Sequence, residues 1–140
     1  MASPELLVDT SYVVALLHRR DQYHEAAQKL ADRFRARAKL VITQAVCLEI
    51  GSFLADLPSR PKAVQMLNGI RSDPGVEIVP MSDHLYSEAL TLFSRRPDKE
   101  WSLIDCVSFV VMNERGITDA LTADGHFEQA GFNPLMRDAV

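Results

Sequence analysis

Residues 6–17 read LLVDTSYVVALL, an apolar run that stops at Asp9 and resumes with helical spacing. Leu6, Leu7 and Val8 suit a short buried strand, and Val13, Val14, Leu16 and Leu17 recur at intervals that put them on one helix face. A strand running straight into a helix is the opening of an α/β unit. The order returns at residues 40–43, LVIT, with QAVCLEIGSFLAD behind it. It returns again at 119–123, DALTA, followed by the short helical turn GHFEQA. VEIVP at 76–80 is a further strand, entered through the turn SDPG.

Helices fill the intervals. One spans about 22–36 with Ala26, Ala27, Leu30 and Phe34 inward, and another is PKAVQMLNGI, with Pro61 in its first turn. A third, capped by Ser82, carries Leu85, Ala89, Leu92 and Phe93, and a strongly apolar one over about 102–115 closes at Gly116. DLPSRP and SRRPDKEW are loops, and FNPLM at 132–136 is expected as a last strand. Strands alternating with helices predict a mainly parallel sheet covered on both faces. Ligand sites of such sheets lie beyond the carboxyl ends of the strands. Asp9 and Asp124 directly follow strands, and Glu49 lies within two turns of the end of LVIT.

A chain of 140 residues, 47% hydrophobic, is expected to form one domain with a sizeable core. Its formal charge of −4 argues against strong nucleic-acid binding, which rests mostly on neutralising phosphates. Two basic runs soften that objection: Lys29, Arg33, Arg35, Arg37 and Lys39, then Arg95, Arg96 and Lys99. Each is equally read as a solvated helix face. The start, MASPELLVDTS, lacks the pattern of a secretory leader, and no apolar segment approaches the roughly 20 residues that cross a bilayer. A cytoplasmic protein without membrane contact is expected. Cys47 and Cys106, far apart and in apolar helical patterns, read as small buried hydrophobes.

Four carboxylates stand out against this background. Asp9 and Asp124 each precede a helix and are candidate N-caps as well as candidate ligands. Glu49 has Ala45, Val46, Ser52 and Phe53 as same-face neighbours, with no Lys or Arg at helical spacing. Asp105 lies in WSLIDCVSFVVM, where Ser102-x-x-Asp105 has the form of a capping box. A cap recovers about 1 kcal/mol and the helix dipole a similar amount, whereas an unpaired buried carboxylate costs several kcal/mol. The balance favours a cation. Acids gathered on one strand edge raise each other's pKa, and a divalent ion reverses that penalty. An oxygen-only set without His or thiolate selects Mg²⁺ or Mn²⁺, ions suited to phosphoryl chemistry. The sequence holds no glycine-rich phosphate loop, no G-x-S-x-G and no H-E-x-x-H. His18, His24 and His84 read as surface or core residues.

Four segments together resemble the PIN-domain nucleases, and among them the VapC-type toxins of bacterial toxin–antitoxin pairs. They are LLVDTSYVVALL around Asp9, VCLEIGSFL around Glu49, DKEWSLIDCVSFVVM around Asp105 and ALTADGHFEQAGF around Asp124. The last two are the more specific, and together the four span essentially the whole chain. The resemblance implies a three-layer α/β/α fold with the four acids as a catalytic metal site. It also implies that Thr10, Ser11 and Ser102 orient ligands or water, that Phe127 packs, and that His126 borders the site. Ile104 departs from the pattern, which often has Thr there, so one hydroxyl near the metal is expected to be missing.

The mechanism so implied is attack of metal-activated water on an RNA phosphodiester, leaving a 5′-phosphate and a 3′-hydroxyl. One or two ions would sit mainly on Asp9 and Asp105, with Lys99 and Arg95 positioning the RNA backbone. A homodimer and a neutralising antitoxin protein are the expected partners. A housekeeping RNA-processing nuclease and a non-catalytic binding module on the same fold are the alternatives. A phosphate-accepting receiver domain fits less well, because Thr10 and Ser11 follow Asp9 and DALTAD offers no Lys. A phosphatase of D-x-D type fails at Ser11, where its second Asp belongs.

Overall fold

The computed structural model of the chain describes residues 3–138. Five strands form one sheet: β1 (Glu5–Val8), β2 (Lys39–Thr43), β3 (Val76–Val79), β4 (Asp119–Leu121) and β5 (Asn133–Pro134). Their order across the sheet is β3-β2-β1-β4-β5, and every pairing is parallel. The helices between them are α1 (Thr10–Leu17), α2 (His24–Phe34), α3 (Gln44–Phe53), α4 (Arg60–Ser72), α5 (Asp83–Arg95), α6 (Leu103–Arg115), α7 (Gly125–Gln129) and α8 (Leu135–Asp138).

Successive strand residues point to opposite faces, and two cores result. Leu6, Val8 and Ile42 pack on one face with Tyr12, Val13, Leu30, Val46, Ile50 and Met136. Leu7 and Val41 pack on the other with Leu85, Ala89, Val107, Phe109 and Phe127. Helices α1 to α4 and α8 therefore cover one face, and α5 to α7 the other, which is the expected three-layer α/β/α arrangement. No described helix is long and apolar enough to cross a membrane.

The chain builds outward from β1 through β2 to β3, then returns to place β4 on the other side of β1. The sheet thus changes direction between β1 and β4, and a crevice opens beyond their carboxyl ends at such a point. Asp9 follows β1 there, and Thr122 to Asp124 follow β4.

The expected helices and the first four strands form where the sequence places them, with two differences at the C-terminal end. DALTA pairs only over Asp119–Leu121, because Thr122 turns its hydroxyl into the crevice. FNPLM is a strand only over Asn133–Pro134, and Leu135 already begins α8. Pro134 has no amide hydrogen to continue a ladder, which suits the sheet edge it occupies.

Phe109 of α6 anchors the second core. Its ring meets Trp101 and Phe127 edge-on, with centroids 5.1 and 5.0 Å away, and Phe132 at 5.7 Å. Phe109→Ala is expected to cost about 3–5 kcal/mol in urea unfolding. Leu57→Ala, at an exposed loop position, should stay within about 0.5 kcal/mol of the parent.

Candidate active site

All four carboxylates line one cleft of about 460 Å³ at the crevice between β1 and β4. Thr10, Ser11, Ser102 and His126 line it too. The side chains singled out in the sequence therefore converge.

Asp9 is buried, with 6% of its surface exposed. It stands at the N-cap position of α1, but its carboxylate turns toward hydroxyls instead of the free helix amides. Oδ2 accepts from Ser11 Oγ at 3.0 Å and from Thr122 Oγ1 at 2.8 Å. The two hydroxyls are 3.1 Å apart, and each also receives a backbone amide, from Ala123 and Asp124 respectively. Burial pushes the Asp9 carboxyl up to about 6, against the lowering effect of the Thr122 bond, and the nearby Asp105 charge adds to the rise.

Asp105 does form the capping box: its amide donates to Ser102 Oγ and its Oδ2 accepts from the Ser102 amide, both at 3.0 Å. The cap leaves the acid unneutralised. Burial raises its pKa, the Ser102 bond lowers it, and Asp124 raises it again. Asp124 likewise caps α7, accepting from the His126 amide at 2.9 Å. For both acids, capping a helix and facing the cleft are simultaneous roles.

Glu49, half-buried on α3, accepts the hydroxyl of Thr10. That bond ties the first residue of α1 to α3 across the cleft. Ser11 and Thr10 thus orient different acids. Ile104 packs at the edge of the first core.

His126 has a larger place than the sequence indicates. Its Nδ1 is buried without an aligned hydrogen bond, 3.3 Å from Asp105 Oδ2 and 3.3 Å from Asp124 Oδ1. Donor atoms of Asp105, Asp124 and His126 lie within 4.8 Å of one another. The carboxylates expected from sequence thus have the imidazole of His126, expected at the border of the site, standing among them.

Thr122 was not singled out from sequence, although its place two residues before Asp124 in LTAD is the signal that could have found it. Asp21 and Glu100 also line the cleft. Both sit in charged loops, RRDQY and DKEW, where an acid reads as solvated surface. Arg95, expected to position the RNA backbone, lies outside the cleft. Arg95 lines a hollow between α5 and α6 with Glu88, Leu92 and Val110, and its neighbour Arg96 binds Asp98 at 2.9 Å and lies over Trp101. Among the described residues no Lys or Arg lines the cleft.

The donors present fit a divalent cation. Carboxylates predominate, Asp9 and Asp105 are disfavoured as anions by burial and by a neighbouring acid (Asp105 and Asp124 respectively), and a buried imidazole nitrogen between Asp105 and Asp124 lacks an aligned partner.

The chain is similar in sequence and fold to known proteins. The 23S rRNA-specific endonuclease VapC20 of Mycobacterium tuberculosis is 29% identical over 127 residues, covering 91% of this chain and 95% of that protein. The crystal structure of VapC20, described as a sarcin–ricin loop cleaving toxin, superposes with a TM-score of 0.84 at 28% identity, over 92% of this chain and 97% of that one. FitAcB from Neisseria gonorrhoeae shares the fold, with a TM-score of 0.64 at 18% identity over 92% of this chain and 97% of its own. The PIN domain model matches residues 6–133, and the chain belongs to the PIN domain family.

Proposed function

We propose that this chain, acting as one catalytic domain, is a divalent-metal-dependent endoribonuclease and the toxin of a toxin–antitoxin pair. The observation that carries the reading is the convergence of Asp9, Glu49, Asp105 and Asp124 on one cleft that among the described residues holds no Lys or Arg. The likeness to VapC20 makes 23S rRNA the substrate to test first.

Asp9, Asp105 and Asp124 would hold the ion, with Glu49 and His126 beside them. Carboxylate oxygens dominate that set, so Mg²⁺ and Mn²⁺ are the fitting ions. Bound there, such an ion supplies Lewis-acid polarisation of a phosphodiester and eases deprotonation of water. The chain's own residues hold the acids still. Ser11 and Thr122 fix Asp9, Thr10 fixes Glu49, and the Ser102 amide fixes Asp105. His126 Nδ1 lies 3.3 Å from an oxygen of Asp105 and 3.3 Å from one of Asp124, between the two acids.

A homodimer is supported by Tyr86, Leu90 and Phe93, exposed on α5 at helical spacing. An antitoxin would silence the enzyme by covering the cleft.

Purified protein with Mn²⁺ is expected to cut 23S rRNA, and EDTA or Asp105→Asn to abolish the cut, as read by mapping the ends. Cutting by Asp105→Asn at the parent rate would remove the metal site. Saturating Mn²⁺ should raise the melting temperature by about 5–10 °C, because an ion at 100 times its Kd adds about 2.7 kcal/mol. Asp105→Asn should lose most of that rise. A third expectation concerns metal-free protein. The Asp9 pKa is about 6 in the folded chain against 3.8 for the free side chain, so the folded state binds the proton more tightly. Its stabilising effect is full below pH 4 and is lost as pH rises through about 6, a loss on the order of 3 kcal/mol. Asp9→Asn should flatten that slope in urea titrations across this range.

A further inference from the structure

The cleft poses a problem for RNA. It is lined by six carboxylates (Asp21 and Glu100 beside the four already named) and, among the described residues, by no Lys or Arg. A bound ion offsets the charge at one phosphate, while the flanking phosphates still meet an acidic wall. Affinity for a nucleic-acid backbone comes mostly from Lys and Arg, so the cations that supply it must lie outside the cleft.

A recess of about 390 Å³ beside the cleft has the opposite character. His18, Arg19, Arg20, His24, Gln28 and Lys62 form its polar lining, with no carboxylate among the described residues that face it. Arg19 and Arg20 come from the loop after α1, and Lys62 from the first turn of α4. The described ion pairs engage Lys39, Arg96, Arg115 and Arg137, and none of them involves Arg19, Arg20 or Lys62. His24 is held by its Nδ1, 2.7 Å from the Ala15 carbonyl, which gives the recess a fixed wall. Three cations brought together without acids repel one another, and an anionic ligand relieves that repulsion.

The two sites share a loop. Arg19 and Arg20 line the recess, while Asp21 and Tyr23 line the cleft. The change of sign falls between Arg20 and Asp21, neighbours whose Cα atoms are about 3.8 Å apart across a trans peptide. The acidic cleft and the basic recess therefore meet along this one loop.

We propose that this recess binds the phosphodiester backbone of the RNA strand next to the scissile phosphate, through Arg19, Arg20 and Lys62. The inference rests on the ribonuclease reading of the cleft and gives that reading its missing electrostatic anchor. The contacts neutralise phosphates without reading bases, so they set affinity and orientation while sequence choice lies elsewhere.

The test is fluorescence anisotropy of a short, mixed-sequence, fluorescein-labelled single-stranded RNA across a potassium chloride series. The protein is the full chain carrying Asp105→Asn, so that binding is read without cutting. Adding Arg19→Ala, Arg20→Ala and Lys62→Ala is expected to weaken binding at low salt by about tenfold or more. It should also reduce the slope of log affinity against log salt by about 2, since each single-strand phosphate contact contributes about 0.7. The charge-preserving set Arg19→Lys, Arg20→Lys and Lys62→Arg should restore both, which a merely structural role would not require. In the active chain the alanine set should raise KM and leave kcat in place. An unchanged slope would overturn the proposal. So would a polyglutamate peptide that competes as well as RNA and loses its grip with the same three changes, since the recess would then serve an acidic protein segment. A wild-type chain that binds RNA with this salt dependence yet never cuts it would remove the ribonuclease reading and leave the backbone site standing. A cutting enzyme whose binding ignores the three cations would do the reverse.

Discussion

Two hydroxyls converge on one buried carboxylate oxygen, and the architecture of the site follows from that contact. Ser11 belongs to the helix after β1 and Thr122 to the segment after β4, so their bonds to Asp9 Oδ2 close the point where the sheet changes direction. The backbone amide of Asp9 also reaches the Leu121 carbonyl at 3.2 Å. Side chain and main chain together fix the separation of the two strand ends that carry Asp9 and Asp124. The hydroxyls recover only part of what burying an anion costs, because neutral donors do not supply a positive charge. The fold thus holds an acid where, left to itself, it resists ionisation.

Much of this was legible in the sequence for a simple reason. A strand ending in an acid, or an acid inside an apolar helix, conflicts with local preference, and such conflicts mark sites. Asp105 between Ile104 and Cys106 and Glu49 between Leu48 and Ile50 are conflicts of this kind. What stayed hidden conflicts with nothing. Thr122 is an ordinary residue at a strand end, Asp21 and Glu100 are ordinary loop acids, and Arg19 and Arg20 are ordinary loop cations. Their significance lies in which wall of which hollow they face, and that is decided by long-range packing. The strand read at 132–136 forms over two residues only, for a related reason: FNPLM has the right composition, and the tertiary position of Pro134 on the sheet edge decides where pairing stops.

Choosing between a helix cap and a metal ligand also proves to be a false alternative. Asp105 and Asp124 each bind the amides of their own helix while presenting oxygen to the cleft. The cap takes away rotational freedom that a long-chain acid would retain, so the donors are oriented in advance of any ligand. The sign of charge is sorted just as sharply, with acids gathered in one hollow and unpaired cations in the next. A net charge summed over the chain averages these away, which is why −4 says little about what the surface attracts.

The double duty of those aspartates bears on what a change of charge does to the fold. Asparagine caps helices about as well as aspartate does. A single transition in the codon therefore removes the charge while leaving the helix start intact. An Asp-to-Asn change at either position thus separates the charge of the site from the start of its helix.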